Sequence, residues 1–194
     1  MRSLIETAFD SVSNKSISFI DIFKDLNAVF NTRNIDLERT DNSGQWKYGD
    51  VGIKQSYFAN DMMIHIEVDD EFVDINENQI NYLVQIMSQI YVHEKKHMDQ
   101  YMKNPNMNLE SGSYLELSYE IEAHAVDAVE GFIQIGYDPV DIFKNNLWDE
   151  YASEIESAWI YWDTYGRYDD NNDDPIWQAF LKAFEEEISV KVEV

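Results

Sequence analysis

Residues 76–103 read NENQINYLVQIMSQIYVHEKKHMDQYMK. Ile80, Leu83, Val84, Met87, Ile90 and Tyr91 recur there at three- and four-residue steps, the period of one helical face. Asn76-Glu77-Asn78 supplies a polar start and Pro105 bars continuation, so the spacing predicts one long helix over 76–103. His93 and His97 fall four apart near its end. In a helix that spacing sets both imidazoles on one face, one turn apart.

Upstream of this helix the pattern changes. Residues 1–35 hold two short helical stretches, with Phe19, Ile22, Phe23, Leu26, Val29 and Phe30 on one stripe. Residues 36–52 are polar, with a turn signal at Asn42-Ser43-Gly44. Within 46–70, Trp46 to Tyr48 and Ile53 to Phe58 read as strands that pair across Gly49-Asp50, and Met62 to Val68 alternates most regularly. Downstream, a second helix begins near Ser111 or Ser113 and runs to about residue 135, with Gly136 where a C-cap belongs. Asp138-Pro139 opens a third helical region through about Tyr165. The Asp- and Asn-rich stretch 169–174 is a loop, and a last helix from Pro175 carries Trp177, Phe180, Leu181 and Phe184. The expectation is one domain over 1–194 of the α+β class, mainly helical, with a small sheet of about three strands packed on the 76–103 helix.

Acidic residues number 38 against 14 basic ones, a formal net charge of −24. Such a surface repels nucleic acid and anionic membrane, and neither is expected as a partner. The acids are scattered among apolar residues rather than laid out as one charged face, which argues against a nucleic-acid mimic. Apolar residues make up 44% of the chain, enough for a packed core, so wholesale disorder is not expected. Cysteine is absent, which removes disulfide and thiolate chemistry. Met1 to Thr7 lacks a long apolar core and carries an early acid, so no secretory signal is expected, nor any membrane-spanning run. The expected location is cytoplasmic or within a virion-like assembly.

Residues 93–97 read His-Glu-Lys-Lys-His, an HExxH pattern. Two imidazoles on one helical face can bind one cation, and Glu94 beside the first can reach a water on that cation rather than the cation itself. Zinc lowers the pKa of its bound water to about 7, and an adjacent carboxylate can take the proton as that water attacks a carbonyl. The plain alternative is a pair of core histidines hydrogen-bonded to carboxylates.

Residues 114–130 read YLELSYEIEAHAVDAVE. With HExxH upstream, this stretch resembles the gluzincin class of zinc metallopeptidases, over about 45 residues around the two helices. That class pairs HExxH with a glutamate on a following helix. A small residue commonly lies three places after it and a polar one four places after. Glu120, Ala123 and His124 match. The resemblance implies zinc held by His93, His97 and Glu120, Glu94 as catalytic base, and His124 behind a ligand imidazole, where an Asp or Asn is usual. It implies a minimal zincin-like domain. Two features depart from the class: Lys95-Lys96 inside HExxH, and His124 itself. Glu122 and His124 are the second choices for third ligand. Iron or cobalt could occupy the same donors.

Other residues carry plainer readings. Gln100 lies on the His93/His97 face, where packing or solvent contact is the simpler role. His65 is a sheet position that could approach a substrate cleft. Met62, Met63 and Met87 read as core. Tyr91, Tyr101, Tyr114 and Tyr119 lie near the motif in sequence and nothing selects among them as an oxyanion donor. Zinc-dependent hydrolysis of a peptide or protein substrate is the leading expectation. The alternatives are a catalytically silent zincin-like component of a phage particle or other larger assembly, and an acidic module that binds a basic partner.

Overall fold

The computed structural model describes residues 35–40, 53–58, 63–69, 77–106, 112–167 and 173–192. The N-terminal helices expected over 1–35 and the strand expected at Trp46 to Tyr48 lie outside the described residues, apart from Ile35. The chain divides into two compact units, Met1–Glu94 and Lys95–Val194.

In the first unit the backbone forms β1 (Ile35–Thr40), β2 (Ile53–Phe58) and β3 (Ile64–Asp69), in the order β1-β3-β2. β1 runs parallel to β3 with Ile35 opposite Ile64, and β2 runs antiparallel with Phe58 opposite Ile64. The helix α1 spans Glu77–Lys103 and ends two residues before Pro105.

The α+β expectation is corrected here. Of the residues described together with their side chains, 80% are helical and one short strand segment, in β3, is the β contribution. The protein is mostly helical, and the pairing of β1, β3 and β2 is a minor part of it. Ile64 on β3 is fully buried. β1 falls on Ile-Asp-Leu-Glu-Arg-Thr, across the boundary between the region expected as helical and the stretch from Asp36 onward that reads as polar.

The second unit is built on α2 (Ser118–Gln134). A 3-10 turn, Tyr114–Glu116, precedes it, and the Glu116 carboxylate accepts from the Ser113 N–H at 3.3 Å. α2 ends at Gly136, whose φ of +89° is the left-handed conformation that glycine adopts without penalty. The Tyr137 N–H then bonds back to the Phe132 carbonyl at 2.9 Å. The helical region expected from 138 to about 165 consists of α3 (Pro139–Lys144), α4 (Trp148–Tyr151), α5 (Glu156–Tyr161) and a π-helical turn, Trp162–Gly166. Asp138 caps α3 through the Val140 N–H, and Asn146 at φ +51° turns the chain before α4. α6 (Pro175–Val192) starts where Asp174 Oδ1 accepts from the N–H groups of Ile176 and Trp177.

Helices α2 and α6 make the most extensive contact, around fully buried Phe132, Tyr161, Phe180 and Phe184. Tyr161 stacks on Phe180 with centroids 4.7 Å apart, and Trp148 meets Phe184 edge-on at 5.0 Å. Gly166 is needed for close approach: a Cβ there would lie 2.8 Å from the Trp177 ring. This aromatic core fixes α2, and α2 carries the acidic partner of the histidine pair.

Candidate metal centre

α1 passes through His93 and His97 as unbroken helix, so the two rings rise from successive turns. Glu120 lies in the first turn of α2 and is buried. One donor atom from each of His93, His97 and Glu120 lies within 4.8 Å of the other two, close enough to hold a metal ion. His97 Nε2 is 3.3 Å from Glu120 Oε2. A charge-assisted N–H···O bond is typically about 2.7–2.9 Å. Two ligands on one tetrahedral ion, each about 2.1 Å from it, stand about 3.4 Å apart. The observed separation matches the second case. Two imidazoles and one carboxylate therefore fit a divalent cation in donor type and spacing.

His97 is held from both sides. Its Nδ1 is 3.0 Å from Gln100 Oε1, and its ring meets Tyr119 edge-on at 5.9 Å. Gln100 Nε2 donates to the Tyr119 carbonyl at 3.0 Å and to Glu122 Oε2 at 3.1 Å. Glu122 also pairs with Lys96 at 3.2 Å, and Lys95 pairs with Asp99. The two lysines inside HExxH thus have acidic neighbours, one on α1 itself and one on α2.

The remaining sequence candidates fall as follows. Glu94 is buried and is not one of the residues of the ligand group. Glu122 is engaged with Gln100 and Lys96. His124 has both ring nitrogens buried and its ring between Tyr114 and Tyr161, at centroid distances of 5.9 and 5.4 Å. It forms a second possible metal-holding group with His93 and Asp127. Asp127 accepts from Ser157 Oγ. Sequence reasoning passed over Asp127, yet the signal was present: Glu120, His124 and Asp127 follow the i, i+4, i+7 stripe of one helical face. His65 is buried on β3 and belongs to neither group. Met87 is buried and Met63 half-buried, while Met62 lies outside the described residues. Tyr91 and Tyr101 are half-buried and Tyr114 is 53% exposed. A tyrosine from further along the chain, Tyr161, feels the Glu120 charge. Burial, then the charge of Glu120, pushes the Tyr161 hydroxyl well above its ordinary pKa, so it stays protonated and donates to the Leu115 carbonyl at 3.1 Å.

No family model, curated protein or solved structure matches this chain. Among the described residues no helix is long and apolar enough to cross a membrane.

Proposed function

We propose that His93, His97 and Glu120 hold a zinc ion and that the protein hydrolyses peptide bonds, with Glu94 as general base. The observation that carries this reading is the convergence of two imidazoles from adjacent turns of α1 and one carboxylate from α2 within ligand-sharing distance. Three protein ligands are the usual complement of a catalytic zinc site, where a structural one takes four. Zinc, when bound, would supply a polarised water of pKa about 7 and a Lewis acid for the scissile carbonyl. Glu94 follows His93 directly in α1 and is buried. Its carboxylate takes a proton during attack on the peptide carbonyl and returns it to the departing amine. Asp127 and His124 lie beside His93 and would orient that ring.

Glu94→Gln keeps the size of the side chain and removes the base. Zinc content should be unchanged, measured by elemental analysis, and cleavage of a fluorescently labelled unfolded protein should fall by about 10²–10⁴-fold. A Glu94→Gln protein that cleaves as fast as the wild type would sink the mechanism. A wild type that carries zinc but cleaves nothing would favour a zinc-stapled structural protein.

A further inference from the structure

Gln100 lies three residues beyond His97 on α1, and its amide meets three groups at once. Oε1 is 3.0 Å from His97 Nδ1, and Nε2 is 3.0 Å from the Tyr119 carbonyl oxygen and 3.1 Å from Glu122 Oε2. The last two are oxygens that accept hydrogen bonds, a backbone carbonyl and a carboxylate. Only the nitrogen end of a carboxamide can serve them, so α2 dictates which way the amide points. Its oxygen must then face His97, and a ring nitrogen facing that oxygen at hydrogen-bond distance must carry the proton. The Nδ1–H tautomer leaves the lone pair on Nε2, which lies 3.3 Å from Glu120 Oε2. The opposite tautomer would set its Nδ1 lone pair against Gln100 Oε1, two acceptors face to face, and would put its proton on Nε2 beside Glu120, where no lone pair would be left for a metal.

We propose that Gln100 is a positioning residue of the metal centre: it holds His97 as the Nδ1–H tautomer and so presents Nε2 as the ligand atom. The lock is built from both helices. Tyr119 and Glu122 fix the amide from α2, and Lys96 on α1 braces Glu122 at 3.2 Å. The effect on metal affinity rests on the zinc reading above. The tautomer does not, because every group that sets it belongs to the protein.

The test separates the two. In ¹⁵N-labelled protein stripped of metal at pH 8, the ring nitrogens of His97 are assigned by their loss in His97→Ala, a tractable task with only 4 histidines in the chain. Nδ1 is expected to be protonated and Nε2 unprotonated. Gln100→Met keeps the length of the side chain but removes the acceptor. It should shift His97 toward the Nε2–H form, and weaken zinc binding in chelator competition by about 10–100-fold, with an unchanged circular dichroism spectrum. A proton on Nε2 in the wild type overturns the proposal, as does a Gln100→Met protein with unaltered tautomer and affinity. Should Gln100→Met fail to fold, the wild-type spectrum alone decides. A wild-type His97 with the Nδ1 proton in a protein that binds no zinc would leave the tautomer lock standing and remove the zinc reading alone.

Discussion

The two halves of α2 face different company. In the first, Glu120, Glu122 and His124 meet His97, Gln100, Lys96 and two tyrosine rings. In the second, Ala125, Ala128, Val129 and Phe132 are fully buried among the rings of α4, α5 and α6. The apolar half needs only volume and complementary shape. The polar half needs its donors aimed, since a misplaced imidazole or carboxylate costs both desolvation and function. The contrast indicates a division of labour along one helix, in which the core holds the backbone still and a few hydrogen bonds set the side chains.

Substitutions can break the two halves separately. Phe132→Ala should have the largest effect on stability, about 3–5 kcal/mol, because the ring is fully buried against Trp148 and Phe184. Denaturant unfolding reads that loss, while metal affinity of the protein that remains folded should hold. A loss below about 1 kcal/mol would mean that the site relaxes around the void. Gly166→Ala is expected to cost about 1–3 kcal/mol by pushing a methyl into the Trp177 ring, visible as a lower melting temperature. An unchanged melting temperature would show that Trp177 moves aside freely.

The smallest effect is electrostatic. Burial alone would raise the Glu130 pKa, but hydrogen bonds from Lys191 at the end of α6 and from Gln134 outweigh it and hold it below its ordinary value of 4.5. A depressed folded-state pKa gives stability that is present above the ordinary value and fades as pH falls through the folded one. Glu130→Gln should therefore cost up to about 1 kcal/mol near neutral pH. The gap to wild type should close in acid. A gap that widens toward low pH would contradict the assignment.

The helices were far more legible in the sequence than the strands. Three- and four-residue apolar spacing, Pro105 and Gly136 mark the ends of α1 and α2 because a helix writes its period locally. The α+β expectation misled for the opposite reason. Strand partners are distant in sequence, and alternation such as that of Met62 to Val68 carries no record of what covers it. The breaks at Asn145-Asn146 and Ala152–Ile155 were hidden by an apolar pattern that continues across them, since tertiary packing rather than local preference sets those turns. In the metal-holding group, the i, i+4 histidines and Glu120 could be named from spacing and from the gluzincin resemblance. Gln100 and Asp127 could not be weighted, because their roles depend on which face of α2 meets which face of α1.

The central claim is that His93, His97 and Glu120 share one ion, and metal stoichiometry tests it most directly. Protein purified without added metal, then titrated with zinc, should bind one ion per chain tightly through that set. His97→Ala and Glu120→Ala should each lose tight binding while keeping the helical circular dichroism spectrum. Undiminished zinc in both variants, or none in the wild type, would contradict the account.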